Sequence, residues 1–447
     1  MILSLLPVVL TAQSRSVTLE DCLQSAAEKN AYVRNAGLDV LSMGEMRTEA
    51  RWSYLPSVNA SAIGYRALDP MLKITLGDIL GGSDYAHQLN YDLSSAAYEH
   101  GIKPYYESLL YGYTVGITAI QPLYMGGRIR NANRLASLGV ESAGIKESVI
   151  VREIRDSVEN KYWRVVALQE KLKTLDSTGD FLDSLVKTAN GAAQAGLILD
   201  SDLLQLRLKC SELESGRLKL RGAVKLAKAD LFNTAGIGYT YLELGDIVLS
   251  DLPSGLPAPE EIIRAEESAA EFDESRLLTM QVEAEQLRKR MAVGEYLPQL
   301  ALGAGYGMGD LMGRGEMKGN AMAFVTLTIP LTDLGKAAAR SRRFDYEIQK
   351  ARNEKTFLDA QLRLQMAMYR LAVETSWEDI MVAEKAVGVA EEAVERAIAD
   401  FDAGMTGCTD VMQCRLSLQQ AMEKLTDSRM AYRKAASAYL HRCGKTL

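Results

Sequence analysis

The chain reads as mainly α with membrane β. It is a duplicated unit whose two copies each supply a long helical hairpin and two short strands to a barrel that several chains must close together. Three observations predict this. The first is internal repetition. Tyr54-Leu55-Pro56 before one alternating run recurs as Tyr296-Leu297-Pro298 before another, and Pro122, Gly196, Asp202 and Gly236 recur as Pro330, Gly404, Asp410 and Gly444, a constant offset of 208 (330 − 122). An offset of 242 (298 − 56) links the two Leu-Pro corners, so the copies differ mainly by about 34 extra residues between Pro56 and Pro122, an insertion read as a loop. The second is a heptad pattern sustained over very long segments. The third is a set of four stretches of about 9 to 11 residues with no charged side chain, the length of a tilted membrane strand.

Taken in order, residues 2–12 are an apolar run too short to cross a bilayer as a helix and suited to a signal-peptide core, so 1–12 is read as a signal peptide on a shortened start. The first repeat spans 18–236: a helix over about 18–55, strands at 57–65 and 111–121, and a helical hairpin over 128–236. An irregular belt follows at 237–259, with Pro253, Pro257 and Pro259. The second repeat spans 260–444, with strands at 299–309 and 321–329 and a hairpin over 333–444.

The hairpin helices are predicted by their seams. From Arg128 to about Ala192 nothing breaks the pattern, and Val151, Ile154, Val158, Val165, Leu168, Leu172, Leu175, Leu182, Val186 and Ala189 follow a heptad. At about 1.5 Å per residue, some 65 residues reach on the order of 100 Å. The return helix keeps the register through Leu203, Leu206, Cys210, Leu213, Leu220, Val224, Ala227 and Leu231, and its counterpart through Val411, Cys414, Leu418, Ala421, Leu425, Tyr432, Ala435 and Tyr439. Stripes this narrow need neighbouring helices.

The strands are predicted by alternation. Val115, Ile117 and Ala119 alternate with Thr114, Gly116 and Thr118, and Ala323, Val325, Leu327 and Ile329 with Phe324, Thr326 and Thr328, so one face is apolar and the other small or polar. Trp52, Tyr54, Tyr124 and Tyr296 flank the strands, as an interfacial aromatic belt requires. A proline is expected at every helix-strand junction: Pro56, Pro122, Pro298 and Pro330. Four strands cannot close a barrel whose smallest membrane form has about 8, so the barrel is oligomeric.

Composition excludes much else. Net charge is −7, with 24% charged and 47% hydrophobic residues, which gives no basic character for nucleic acid. Tyr outnumbers Phe, 20 to 7, as suits rings that meet both lipid and water. No stretch approaches 18 uncharged apolar residues, so any membrane span is made of strands. Five cysteines and three histidines show no metal-ligand spacing. Cys210 and Cys414 fall on helix seams as small hydrophobes; Cys408 lies in a turn, with a disulfide to Cys414 as the one pairing considered. His87 and His100, with Asp84, Asp92 and Glu99 in the insertion, match no metal pattern. There is no nucleophile-base pair, phosphate loop or cofactor motif, so an enzyme is not expected.

These residues resemble the TolC-type outer-membrane efflux protein family. The resemblance rests on Thr18-Leu19-Glu20-Asp21-Cys22, on Tyr-Leu-Pro before strands, on Gln121-Pro122-Leu123-Tyr124-Met125-Gly126-Gly127-Arg128 after a strand, and on the Gly-x5-Asp turns at 196–202 and 404–410. It covers about 18–444. It implies a homotrimer with a 12-stranded barrel in the outer membrane of a Gram-negative bacterium and a helical tunnel through the periplasm. The partners it implies are outer-membrane lipid, a periplasmic adaptor (membrane fusion) protein and an inner-membrane RND, ABC or MFS transporter. The tunnel would be a passive conduit of an efflux or type I export system. It also implies a constriction at the hairpin turns, Gly196 and Gly404, formed by Asp202, Asp410, Gln205 and Gln413, with Phe401 and Thr406 where the family has latch partners of other types.

Other readings stand beside these. Asp202 and Asp410 are equally well placed as first-turn acids that favour the helix dipole. Arg128, Arg130 and Arg134, like Lys336, Arg340, Arg342 and Arg343, follow the strands and suit either lipid headgroups or a solvated face. A periplasmic coiled-coil adaptor or envelope scaffold would share the hairpins but has no need of four charge-free strands.

Overall fold

The computed structural model describes residues 16–69, 72–75, 88, 91–93, 95–96, 99, 105–108, 111–194, 198–240, 244, 248–249, 255–263, 272–310, 317–331 and 333–443. The expected signal peptide, Gly196, Gly444, His87 and His100 lie outside them. The chain divides into two compact units: Met1–Met43, Gly139–Val282 and Lys350–Leu447 form one, and Gly44–Leu138 and Glu283–Gln349 the other.

Strands build the second of these units. β2 (Ser57–Arg66), β5 (Tyr111–Met125), β7 (Gln299–Asp310) and β8 (Lys318–Thr328) form an antiparallel sheet in the order β2-β5-β7-β8. Each repeat contributes a pair, and β5 joins β7 through twelve register partners, from Tyr113 opposite Asp310 to Met125 opposite Gln299. Within the insertion, β3 (Leu72–Thr75) pairs antiparallel with β4 (Tyr105–Ser108) and residues 91–93 are helical, so it is not purely loop.

One junction differs from expectation. Pro122 is not at a helix-strand corner but inside β5, where it faces Ala301 just before a register shift at Tyr124. A bulge leaves one residue out of the ladder, which is where a strand tolerates a missing N–H. The corner comes at Gly126 and Gly127, with φ of +61° and +75°. A side chain at Gly126 would place Cβ 2.0 Å from the Gly294 carbonyl oxygen, so both the left-handed turn and the contact between two backbones require glycine there. Pro56 and Pro298 directly precede β2 and β7, and Pro330 lies between β8 and the next helix.

The helical unit follows the seams. α1 (Leu19–Lys29) starts on a capping box in which Asp21 N–H donates to Thr18 Oγ1 at 3.2 Å and Thr18 N–H to Asp21 Oδ2 at 3.0 Å. The single helix expected over 18–55 is broken at Asn30, which is extended (ψ 130°) and caps α2 (Ala31–Trp52) by accepting from the Tyr32 N–H at 2.9 Å. Its amide also donates to the Thr234 carbonyl at 2.8 Å, which fixes the break against the return helix.

The hairpin helices are α3 (Arg128–Gln194, 67 residues) with α4 (Asp200–Ala235, 36 residues), and α7 (Leu334–Asp402, 69 residues) with α8 (Cys408–Arg442, 35 residues). Between the hairpins, α5 (Pro259–Ile263) and α6 (Asp273–Gly294) open the second repeat. In the stretch expected as an irregular belt, β6 (Val248–Leu249) pairs in parallel with β1 (Ser16–Val17), and the Leu244 carbonyl accepts from the buried Lys228 ammonium at 3.0 Å.

The repeats bury equivalent positions. Val165 and Val373 are fully enclosed, and the buried Val224 and Leu231 correspond, 208 residues on, to Tyr432 and Tyr439, both buried as well. The first core centres on Tyr162, Trp163, Leu231 and Phe232; the second on Ile262, Val373, Tyr432 and Tyr439. Each such side chain contributes about 1.5 to 3 kcal/mol when removed from water, so the seams rather than helix propensity hold the hairpins.

Candidate functional site

Two places have the chemistry of a site: the sheet and the hairpin ends. Because side chains alternate along a strand and register partners share a face, the pairing sorts the sheet into two surfaces. One carries the rungs Val58-Ala119-Ala304-Ala323 and Ala60-Ile117-Tyr306-Ala321, continued by Val115, Met308, Leu302 and Val325. The other carries Ser61-Gly116-Gly307-Asn320 and Asn59-Thr118-Gly305-Met322. The apolar surface is uncovered by its own chain: Val58 is 65% exposed, Ile117 56% and Val325 66%. An apolar patch spread over four strands is far more than scattered surface residues. The opposite face carries mostly small residues, with Phe324 lying across Gly303 and with Ile63, Ile120 and Met322 as its other large apolar side chains. Among the described residues, β2 and β8 each have a strand partner on one side only, so both long edges of the sheet are open there.

Flanking groups are tied down unevenly. Trp52, Tyr54 and Tyr124 are exposed, whereas the Tyr296 hydroxyl accepts from Arg340 at 3.2 Å and the Arg340 guanidinium also pairs with Glu295 at 2.9 Å. Hydrogen bonding to Tyr296 and the Glu295 charge hold Arg340 above its ordinary range. Arg134 pairs with Glu283 at 2.9 Å and Lys336 with Asp333 at 2.6 Å, so these three basic groups answer carboxylates within the chain.

At the hairpin ends, α7 closes on Gly404 (φ +71°), whose N–H donates to the Phe401 carbonyl at 3.0 Å while Met405 N–H reaches Asp400 at 2.8 Å. This is the left-handed C-terminal stop that glycine permits. α4 and α8 then begin on Leu199 and Gly407, neither of which offers a capping side chain. Asp202 and Asp410 occupy the third position of each helix, where a carboxylate compensates for an uncapped positive end. Asp410, Gln205 and Gln413 are exposed, and Asp202, Phe401 and Thr406 half-buried. The Thr406 hydroxyl is buried and has no hydrogen-bond partner among the described residues.

The two ends are brought together. Leu182, Ala189, Leu203 and Leu206 of the first hairpin share one apolar cluster with Ala397, Cys408, Val411 and Met412 of the second, with Phe401 packed on its margin. Burial, and then the charge of Asp202 ahead of that of Asp410, push the Cys408 thiol up, so both aspartates act on one group at the tips. Cys408 is the buried first residue of α8 and not an exposed turn thiol, and no disulfide joins it to Cys414.

Sequence reasoning missed Arg415. Its guanidinium donates to Ser177 Oγ at 2.9 Å and lies 5.0 Å over the Phe181 ring, tying α8 to α3, and burial pushes it below its ordinary range. The available signal was a charge placed directly beside the seam residue Cys414. Among the described residues no group of three or more His, Cys, Asp or Glu side chains has metal-binding geometry, and no helix is long and apolar enough to cross a membrane.

Residues 276–439 match the family model described as outer membrane efflux protein. No curated protein matches by sequence. Among solved structures, the chain resembles the outer membrane protein VceC from Vibrio cholerae at TM-score 0.74 and 15% identity, covering 96% of each chain. It resembles a membrane protein from Pseudomonas aeruginosa at TM-score 0.75 and 15% identity, covering 96% of this chain and 90% of that one. It also resembles the Campylobacter jejuni CmeC outer membrane channel at TM-score 0.73 and 13% identity, covering 95% and 85%. The resemblance drawn from the motifs thus holds at two levels: the family model over most of the second repeat, and the channel fold over nearly the whole chain. The family is one of conduits rather than enzymes.

Proposed function

We propose, on the premise that residues 276–439 carry the outer membrane efflux protein pattern and that the whole chain has the fold of outer-membrane channels, that this protein is the outer-membrane channel of a tripartite efflux or type I export system. It is a passive conduit: an inner-membrane transporter supplies the energy and a periplasmic adaptor joins the two. The observation that carries the reading is the two-faced sheet with both edges open. An apolar face uncovered over four strands suits hydrocarbon, the small-residue face suits water, and edges of ten or more residues suit closure against copies of the same chain. Three copies give a 12-stranded barrel in the outer membrane, with the hairpins in the periplasm.

At the periplasmic mouth, Asp202 and Asp410, with Gln205 and Gln413 one turn further on, face the axis as a constriction, and Phe401 and Thr406 bound it. The support is that both hairpin ends share one apolar cluster and both carboxylates act on Cys408. The test is purification from outer-membrane fractions in detergent, followed by mass determination and planar-bilayer recording. The reading expects a trimer with discrete cation-preferring conductance. A monomer found with the inner membrane or the soluble periplasm, and silent in bilayers, would favour a scaffold instead.

A further inference from the structure

The helices that run out of the sheet lie side by side in the order of its strands. Asn133 of α3 donates to the Ala50 carbonyl of α2 at 2.8 Å, Arg134 of α3 pairs with Glu283 of α6 at 2.9 Å, and Lys289 of α6 pairs with Asp345 of α7 at 2.6 Å. The layer α2-α3-α6-α7 thus continues β2-β5-β7-β8. Its charge is opposite to that of the chain. Residues 44–56, 126–138, 283–298 and 331–349 hold twelve Lys and Arg against eight Asp and Glu, net +4 (12 − 8), whereas the rest of the chain carries −11 (−7 − 4).

Many of these cations answer a carboxylate, as Arg134, Lys289, Lys336 and Arg340 do. Three of those nearest the sheet do not. Arg51 in the last turn of α2, with Arg128 and Arg130 in the first turn of α3, has no carboxylate at ion-pair distance among the described residues, and neither have they; Arg51 and Arg130 are exposed and Arg128 half-buried. α3 has no acidic residue in its first turn, so Arg128 and Arg130 meet the positive end of the helix dipole unopposed. Helix chemistry alone does not account for them.

Their depth does. On the apolar face of β5, the exposed Tyr113 and Tyr124 are eleven positions apart (124 − 113), which at about 3.4 Å per residue and a tilt near 40° spans roughly 29 Å. That is an apolar band of about 25 Å with an aromatic ring at each border. Arg128 comes four residues after Tyr124, round the Gly126-Gly127 corner, with its Cγ against Gly294 of α6. Arg51 adjoins the exposed Trp52 on the neighbouring helix. All three guanidinium groups therefore stand just past one border of the band, where phospholipid phosphates lie. A guanidinium presents paired N–H donors that match two phosphate oxygens.

We infer that Arg51, Arg128 and Arg130 form a basic collar that selects anionic phospholipid headgroups in the periplasmic leaflet. The inference rests on the reading that the sheet is embedded in the outer membrane with its apolar face outward. Zwitterionic lipid would fill the same space but would leave the net positive charge of the layer unanswered.

The test uses Trp52 as a reporter. The full-length protein is reconstituted in phosphatidylcholine vesicles containing phosphatidylglycerol, with bromine on the acyl chains of one lipid or the other in turn, and Trp52→Phe supplies the background from Trp163 and Trp377. One basic group at an anionic surface is worth about a fivefold enrichment, so brominated phosphatidylglycerol should quench Trp52 about fivefold more per mole than brominated phosphatidylcholine at low salt, and the ratio should fall as salt is added. Changing Arg51, Arg128 and Arg130 together to Gln should bring the ratio close to unity, and changing them to Lys should keep most of it. Quenching in proportion to mole fraction by both lipids in the wild type, or a preference that the triple Gln variant retains, would overturn the collar and leave the membrane reading standing. Absence of quenching by either lipid would overturn that reading, and the collar with it.

Discussion

An arginine placed on the apolar face of the sheet should be far more damaging than one placed a single residue away. Val325 lies on the face of Ile117, Tyr306 and Ala323, opposite Leu302, and Thr326 on the face of Gly305 and Asn320, opposite Ala301. In the eleven-residue strand β8, Val325 is two positions from the central Ala323. At about 3.4 Å per residue and a tilt near 40°, it sits roughly 5 Å from the midplane of an apolar band about 25 Å tall, well inside hydrocarbon. An arginine at the midplane costs about 2 to 4 kcal/mol, so Val325→Arg should cost about 2 to 3 per chain, or roughly 30- to 150-fold in the folding equilibrium. Copies related by symmetry would each bear it. Thr326→Arg puts the same charge toward water, where the small-residue face leaves room. The assay is urea-dependent folding into lipid vesicles, followed by the loss of a heat-modifiable oligomer on gels. If both variants assemble equally poorly, or Thr326→Arg is the worse, the facing of the sheet is wrong.

Asn30→Ala removes the α2 cap and the bond to Thr234 and should cost about 1 to 2 kcal/mol in chemical denaturation of the helical unit; no change would mean that the break is held by packing alone. If Asp202 and Asp410 ring one axis, carboxylates about 8 Å apart repel by roughly 2 kcal/mol at an effective dielectric near 20 and hold cations. The double change to Asn should therefore lower cation selectivity and periplasmic-side divalent block in bilayers, whereas unchanged values return them to helix-start residues. Burial and then Asp21 push the Cys22 thiol up to about 12. Its folded value is raised, so its contribution is present below the unfolded thiol range and is lost as pH climbs toward 12. Near neutrality Cys22 should resist maleimide until denaturant is added, and prompt labelling of the native protein would contradict its burial.

What the sequence determined alone is whatever repeats locally. The heptad that runs through Val158, Val165 and Leu182, and the alternation of Val115, Ile117 and Ala119 with Thr114, Gly116 and Thr118, are carried by neighbours within a few residues. The offset of 208 then ties Val165 to Val373 without any structure. Strand ends were legible to within a few residues for the same reason, and the hairpin stop at Gly404 because glycine marks the turn. Pro122 shows the limit. Beside a Gly-Gly corner it reads as a junction, but the partner that keeps it in a strand, Ala301, lies 179 residues away (301 − 122). Asn30 is a good cap by type, yet its anchor is the Thr234 carbonyl in the return helix. Arg415 on Phe181, and His441 between Asp156 and Glu159, join helices from different repeats. Periodicity tells which face of each helix is buried. Which charged groups meet where two such faces join depends on the rotation and stagger of one helix on another, and only the tertiary structure decided that.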